Sequence, residues 1–439
     1  MRKTLVIIIS MLLIVGCQLN KKKESNSFSE SQIIVSEDIS NFWKAYDAIK
    51  TTNDSLKQMK YLQTLFLDNA SDGQKRMMEA RRYTPEEYLL SINNRSKFWN
   101  SIRKNTENIK SFNEELRKGV EKLVGIYPPL NLSTIYYTIG NHRSPGTGVD
   151  SLVLLGTEFA LGDSTTFTSE LPEHNQNYYK INPTNHLQFL CVHEYVHTQQ
   201  RPIVHNLLSL TLYEGIAEFV AIQATGRKSP WKAFTYGPEN EDKIKQRFEE
   251  DIFRPNSVFN WLWNSPDNEF QTSELGYYIG FQIASLYFDA ASNKKAAIKT
   301  LIELDYSDES EVEKLVNSTN YFSNTLDEMR KNYESTRPEI VSISEFSNNS
   351  KNINATLREI TINFSKPMNK ETRGFDFGPL GEDNVLRVQK VIGFSKDGKS
   401  FSFEVKLEEN KQYQSLVTNR FQSISGFPLK PFLIDFKTK

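Results

Sequence analysis

Three residues in the stretch LCVHEYVHTQQ have the types and spacing of a zinc site. His193 and His197 are four positions apart, so on an α-helix their side chains share a face. Glu194 follows His193 directly and would reach a water held by the same metal. A hydrolytic zinc site of this kind has two neutral imidazoles, a third protein ligand and a water. The pattern predicts one bound Zn²⁺, although two packed or surface histidines could produce the same letters by chance.

The third ligand should come from the stretch LYEGIAEFVAIQATG. Glu214 and Glu218 are again four positions apart, and Glu214 stands seventeen positions after His197, which leaves room for a connection and a returning helix. Both glutamates lie beside apolar residues. A carboxylate buried there is costly unless it meets a metal or a hydrogen-bond donor. Either glutamate could therefore complete the site.

The two stretches together resemble the gluzincin metallopeptidases, the clan of thermolysin and the zinc aminopeptidases. The resemblance implies that Glu214 is the third zinc ligand and that Glu218 orients the first histidine from behind. It also implies that Glu194 is the general base. The interval between His197 and Glu214 is a few residues shorter than in those two groups, so the loop between the two helices must differ from theirs. The reverse assignment, with Glu218 as ligand and Glu214 as support, stays open.

A further motif, GYYIG, contains Tyr277. In aminopeptidase-type gluzincins a tyrosine at this place donates a hydrogen bond to the tetrahedral oxyanion, and the resemblance implies that role for Tyr277. An ordinary packed aromatic is the alternative, and Tyr278 is the neighbouring candidate. The clan also pairs substrate backbone with an exposed edge strand. The stretches TIYYTIG and SLVLLGTEF are the two candidates for that strand.

The first residues, MRKTLVIIISMLLIVGCQLN, predict a cleaved signal peptide over residues 1–16. The sequence around Cys17 resembles the lipobox of bacterial lipoproteins, which implies a lipid on Cys17 and attachment to a membrane. Gln18 is not the aspartate associated with retention at the inner membrane. We therefore expect a lipid-anchored protein of the bacterial cell envelope, with the outer membrane favoured. Residues 17–37 are polar and predict a flexible tether.

Composition excludes several classes of protein. The 53 basic and 54 acidic residues nearly balance, whereas a nucleic-acid-binding protein would carry a basic excess. Apart from Cys17 the chain has one cysteine, Cys191, so no intrachain disulfide framework is possible. The 439 residues are enough for two or three domains.

Periodicity divides the chain into a mainly helical part and a β part. Residues 39–125 show helical spacing, and two apolar runs at residues 132–140 and 150–159 predict strands joined by a Gly/Pro-rich loop. Helices are predicted at residues 183–200, 208–224 and 276–289, the first with Asn182 as its N-cap. From Pro338 onwards apolar and polar residues alternate, as in half-buried strands.

The expected fold is a multidomain chain. A mainly α (α+β) zincin-like metallopeptidase domain with a small β-sheet would span residues 38–336. An all-β Ig-like sandwich would span residues 337–439.

Residues 36–335 resemble bacterial lipoproteins with a predicted Zn-dependent protease domain, including a flavobacterial gliding-motility lipoprotein family. The C-terminal segment resembles the Ig-like, S-layer-type modules of bacterial surface proteins. These resemblances imply a membrane-anchored zinc metallopeptidase that acts on a peptide or protein, with a possible envelope partner bound by the module. The alternative is a non-catalytic, zinc-stabilised envelope lipoprotein with an assembly or binding role in gliding or secretion machinery.

Overall fold

The computed structural model describes residues 32–255, 257–263 and 268–439, so the predicted signal peptide and Cys17 lie outside the described residues. The chain forms a helical N-terminal region with a small sheet, further helices, and a C-terminal β region. The helices are α1 Glu37–Ile49, α2 Ser55–Leu65, α3 Asp72–Arg81, α4 Pro85–Asn94, α5 Ser96–Glu107, α6 Asn113–Ile126, α7 Thr157–Ala160, α8 Glu173–Tyr179, α9 Leu187–His197, α10 Leu207–Thr225, α11 Ala233–Asp251, α12 Val258–Trp261, α13 Leu275–Ala290, α14 Lys294–Ile302, α15 Glu309–Ser318 and α16 Leu326–Thr336. The strands are β1 Ile34–Val35, β2 Thr134–Thr138, β3 Gly146–Val149, β4 Leu152–Gly156, β5 Ile340–Ile343, β6 Glu359–Phe364, β7 Phe375–Asp376, β8 Val388–Phe394, β9 Ser400–Val405, β10 Gln412–Val417 and β11 Phe432–Lys437.

The chain divides into two compact units. The first comprises the described residues up to Thr198, together with Gln223–Gly226. The second comprises Gln199–Ile222 and the described residues from Arg227 to Lys439.

The helices of the first unit pack around an aromatic core. Phe42, Trp43 and Trp99 are almost fully buried and contact one another at tilted or edge-on angles, the geometry that aromatic rings prefer. Helix α4 begins at a reciprocal capping box, which Thr84 and Glu87 form.

A four-stranded sheet in the first unit has the order β1-β2-β4-β3. Strands β1, β2 and β4 are parallel, and β3 is antiparallel to β4. Strand β1 lies within the predicted tether and pairs with β2. The two runs expected to supply an exposed edge are wrong for that role, because they form the interior strands β2 and β4. The two edge strands are β1 and β3, and β3 lies within the predicted Gly/Pro-rich loop.

Helix α10 is mainly apolar. It is the single described helix with the length and hydropathy of a membrane span, and 83% of its most apolar window is buried inside the protein. A core helix has the same composition. We therefore read α10 as a buried helix of the fold.

Two glycines let α10 and α13 touch backbone to backbone. A Cβ built on Gly215 would lie 2.3 Å from Cα of Gly280, and a Cβ built on Gly280 would lie 2.0 Å from the carbonyl oxygen of Thr211. Neither position can carry a side chain without separating the helices. Gly215 follows Glu214 and Gly280 ends the GYYIG motif, so this contact fixes both motifs in the second unit.

The C-terminal β region consists of two antiparallel sheets around one core. The sheets have the orders β5-β6-β9-β8 and β11-β10-β7. The core contains Phe401, Phe403 and Phe421, which are fully buried. Asp397 and Gly398 lie in the connection between the antiparallel strands β8 and β9, and Gly398 has a positive φ of 72°.

Within the second unit, side chains tie this β region to the helices beside it. Arg337 donates hydrogen bonds to the carbonyl oxygens of Pro428 and Leu429 at 3.1 and 2.9 Å. The guanidinium of Arg254 lies 4.2 Å from the ring centroid of Phe427, within the range of a cation–π contact. Three residues separate the end of α16 from the start of β5. The segment that connects the helical and β parts is therefore short, and the contacts of Arg337 and Arg254 hold the two parts together.

The contact between α10 and α13 predicts a sharp difference between two glycine substitutions. Gly280→Ala should lower the free energy of unfolding by about 1–3 kcal/mol, because the methyl group would overpack the helix crossing. Gly125→Ala is the matched control, since Gly125 also lies in a helix but has no atom within 4 Å of its Cβ position, and alanine should gain up to about 1 kcal/mol there. Urea unfolding of both variants measures the two values. Equal stability of the two variants would contradict the proposed crossing.

Candidate functional site

The predicted zinc helix is observed as α9, and it is buried on almost every side. Leu187, Val192 and Tyr195 are fully buried, and His193 and Glu194 are 7% and 8% exposed. The helix begins later than predicted: residues 183–186 form a 3₁₀ turn, and Asn182 is left-handed and makes no capping hydrogen bond. The N-cap prediction for Asn182 is therefore wrong.

The two histidines of α9 point toward one another. Their Nε2 atoms lie 3.0 Å apart, and their rings are edge-on with centroids 4.7 Å apart. Two nitrogens bound tetrahedrally to one zinc would lie about 3.3 Å apart, given the usual Zn–N distance. The observed separation is close to that value.

A carboxylate joins the two imidazoles. One ligand-capable atom each of His193, His197 and Glu214 lies within 4.8 Å of the other two. No other described group of three such residues meets this distance criterion. These are the three residues that the sequence analysis predicts as zinc ligands, and their role as ligands stays a prediction. Glu218 is fully buried one turn further along α10.

Glu194 lies against the edge strand β3. Its Oε2 accepts a hydrogen bond from the backbone N–H of Gly148 at 2.7 Å. A Cβ on Gly146 would lie 2.7 Å from Cγ of Glu194, and one on Gly148 would lie 2.7 Å from Cβ of His197. The two glycines therefore allow the β3 backbone to pack directly on the turn of α9 that carries the motif. The sequence analysis did not predict that these two glycines pack against α9. The feature that could have indicated it is their Gly-Thr-Gly spacing.

The two candidate tyrosines have different surroundings. The hydroxyl of Tyr278 donates to Glu241 at 3.1 Å and accepts from Gln282 at 2.7 Å, so it has a structural role in the second unit. The hydroxyl of Tyr277 accepts from the indole N–H of Trp263 at 3.2 Å, and Tyr277 is 8% exposed. Its predicted role toward an oxyanion stays a prediction.

Glu274 is an acidic residue that sequence reasoning did not select. It precedes α13 with a left-handed backbone, φ 57°. Burial raises the pKa of its carboxyl group to about 7, a hydrogen bond from Ser273 lowers it, and the charge of Glu218 adds to the rise. The feature that could have identified Glu274 in the sequence is its position three residues before Tyr277, in the motif SELGYYIG.

A second buried carboxylate, Glu158, holds the loop that leads into β3. Its two oxygens accept hydrogen bonds from the backbone N–H groups of Gly140 at 2.8 Å and His142 at 3.2 Å. Burial raises the pKa of Glu158 to about 7, and these bonds limit the rise. Because the loop ends at Gly146, Glu158 helps to position the strand that contacts Glu194.

His142 lies in the core of the first unit. Arg95 donates to its Nδ1 at 3.1 Å, which makes the neutral Nε2–H form the bound one. Burial, together with the charge of Arg95, holds the pKa of His142 well below its usual value. His174 and His205 are exposed.

Comparison with known proteins connects this chain to one family. The model of the family described as "Gliding motility protein GldB" matches residues 21–323. No curated protein matches the chain.

Solved structures of a bacterial S-layer protein, SbsC, align with 61% of this chain. Sequence identities are 14% and 10%, TM-scores are 0.18 and 0.19, and the alignments span 38% and 65% of those chains. The chain thus covers less than two thirds of each S-layer structure. At these TM-scores the likeness carries no argument about the fold.

The raised pKa of Glu158 should make the free energy of unfolding depend on pH, and one substitution should remove that dependence. A carboxyl group with a raised folded-state pKa contributes stability that is fully present below its unfolded value, near 4.5, and is lost as the pH rises through about 7. Glu158→Gln should remove this pH-dependent contribution to the free energy of unfolding. His142 acts in the opposite direction as the pH falls below 6.5, so the quantity to measure is the difference in unfolding free energy between wild type and variant from pH 4.5 to 8.

The expected difference changes by at most about 1.4 kcal/mol per pH unit within that window. Glu121→Gln, at an exposed position, is the control and should show no such change. A constant difference between wild type and Glu158→Gln across the window would contradict the raised pKa.

Proposed function

This chain belongs to the gliding motility protein GldB family, and from this premise we propose that it is a lipid-anchored protein of the cell envelope with an assembly or binding role in motility. Its fold would be stabilised by one zinc ion at His193, His197 and Glu214. The family match supports the motility role, and the predicted lipid on Cys17 supports membrane attachment. Its partners would be other envelope proteins.

The convergence of three ligand atoms within 4.8 Å carries the zinc proposal. Two imidazoles and one carboxylate form a donor set that zinc uses in proteins. His193 and Glu214 are 7% and 8% exposed, and burying these polar groups is costly unless they have partners. A metal bound to residues on both sides of the connection between α9 and α10 would add its binding free energy to folding.

The surroundings of Glu194 favour a non-catalytic role. Its carboxylate is 8% exposed and already accepts a 2.7 Å hydrogen bond from Gly148. A general base must have its oxygen within reach of the water that it deprotonates. In the arrangement seen here, one carboxylate oxygen of Glu194 supports the edge strand.

A zinc-dependent peptidase is the second candidate, favoured by the position of Glu194 directly beside the ligand pair. Zinc would lower the pKa of a bound water. Glu194 would take the proton from that water and later pass it to the leaving amine. Tyr277 would donate a hydrogen bond to the oxyanion of the peptide substrate.

Two variants of α9 separate the candidates. In a gliding strain that lacks its own copy, Glu194→Gln should keep bound zinc, thermal stability and colony spreading. His193→Ala should lose zinc, unfold at lower temperature and stop spreading, because the buried ligand set is broken. His174→Ala, at an exposed histidine, is the control. Elemental analysis, thermal unfolding and spreading assays supply the measurements.

The opposite pattern would overturn the assembly role. If Glu194→Gln keeps zinc and stability but stops spreading, and wild type cleaves a member of a peptide library that this variant does not cleave, the peptidase is correct. Retention of stability and absence of zinc in wild type would refute the metal site itself.

A further inference from the structure

The chain ahead of β1 is hydrogen-bonded to the helix that carries the two histidines. Gln32 is the first residue that the structure describes, and it is 3% exposed. Its Oε1 accepts a hydrogen bond from the hydroxyl of Tyr195 at 3.1 Å, and its Nε2 donates to the carbonyl oxygen of Ser133 at 2.7 Å. Tyr195 is fully buried on α9, between His193 and His197. The amide of Gln32 therefore joins the start of the fold to α9.

Ser133 adds two further contacts to the end of α9. Its backbone N–H donates to the hydroxyl of Tyr195 at 2.7 Å, and its own hydroxyl lies 2.8 Å from that of Thr198. Thr198 is the C-cap of α9 and directly follows His197, the last residue of the helix. The final carbonyl groups of a helix lack intrahelical partners, and helix ends fray. The hydrogen bonds of Gln32 and Ser133, which we call the clamp, therefore hold the turn that carries His197.

Strand β1 is short and lies at an edge of its sheet. Its two residues pair with Ile135 and Tyr136 of β2, and the amide of Ile135 donates to the carbonyl oxygen of Ile33 at 3.0 Å. An edge strand with so few hydrogen bonds opens locally at a low free energy. Helix α1, which follows from Glu37, is packed in the aromatic core. Gln32 and β1 can therefore detach while the rest of the first unit stays folded.

We propose that attachment of β1 is coupled to metal binding at His193 and His197. While the clamp is closed, the last turn of α9 is fixed and both imidazoles are held ready for one ion. When β1 detaches, that turn loses its support and the affinity for zinc falls. Coupling between two sites is reciprocal, so bound zinc also holds β1 on the sheet.

This coupling makes Gln32 a positioning residue for the metal site. The proposal goes beyond the zinc site and the lipid anchor proposed above, and it rests on both. In a lipid-anchored protein, the segment between Cys17 and β1 would respond to whether the metal site is occupied.

A substitution of Gln32 tests the clamp, with zinc affinity of the full chain measured by competition with a chelating dye. Gln32→Met keeps the length of the side chain but removes both polar atoms, so zinc should bind at least about fivefold more weakly. Tyr195→Phe removes the hydroxyl that Gln32 and Ser133 share and should weaken zinc binding similarly.

Gln74→Met is the matched control. Gln74 is also fully buried and bridges two backbone groups, those of Ile139 at 2.8 Å each, and it donates to the hydroxyl of Tyr88 at 3.1 Å. This variant should lose stability, as Gln32→Met does, but should bind zinc with the affinity of wild type. The pair separates positioning of α9 from general destabilisation.

Hydrogen exchange tests the reciprocal effect in wild type. Addition of zinc should slow exchange of the Ile135 amide at least about fivefold, because the β1–β2 bond opens less often. The amide of Val405, which donates to the carbonyl oxygen of Arg358 in the C-terminal β region, is the reference and should exchange at an unchanged rate. In Gln32→Met the effect of zinc on Ile135 should be lost.

The coupling is refuted if wild type and Gln32→Met bind zinc equally well, or if zinc leaves exchange of the Ile135 amide unchanged. Equal weakening in Gln32→Met and Gln74→Met would also refute it, since loss of stability would then explain both. These outcomes leave the zinc site standing. A wild type that binds no zinc refutes the metal site and the coupling together.

Discussion

Burial of polar groups on α9 is the constraint on which the rest of the site depends. His193 and Glu194 are over nine-tenths buried on a helix whose other residues form core. Leaving such groups without partners would cost several kcal/mol, roughly 1–3 for each unsatisfied group. The backbone of β3 supplies a hydrogen-bond donor to Glu194, and Nε2 of His197 lies 3.0 Å from Nε2 of His193. The two glycines of β3 allow that strand to lie against the helix.

Local patterns in the sequence predicted most elements that carry the site. His193 and His197 are four residues apart, and so are Glu214 and Glu218. This spacing predicts residues that share one face of a helix, and both pairs lie on helices, α9 and α10. The strand β3 could not be predicted, because Gly-Thr-Gly has low strand propensity and reads as a loop. Its strand conformation comes from pairing with β4 and contact with α9. The Gly215–Gly280 contact joins residues far apart in sequence, and no local pattern reports such a pair.

Family and local chemistry describe different aspects of this molecule. The match to the gliding motility protein GldB family covers residues 21–323 and hence every candidate metal-binding and catalytic residue, but not Cys17. The same residues have the types found in hydrolytic zinc sites, and a fold or a motif does not by itself fix an activity. The distinguishing feature is the environment of Glu194. Its Oε2 accepts a hydrogen bond from the backbone N–H of Gly148, which stabilises the strand at that point.

The short join at Arg337 has a mechanical consequence. A flexible linker would extend under load and isolate the β region from the helices beside it. Here Arg337, Lys366 and Arg254 connect the two parts through contacts to Pro428, Thr336 and Phe427. A pulling force applied to the β region would load these contacts in parallel and pass directly to α16 and α11. Such a stiff joint transmits tension, whereas a flexible linker would absorb it.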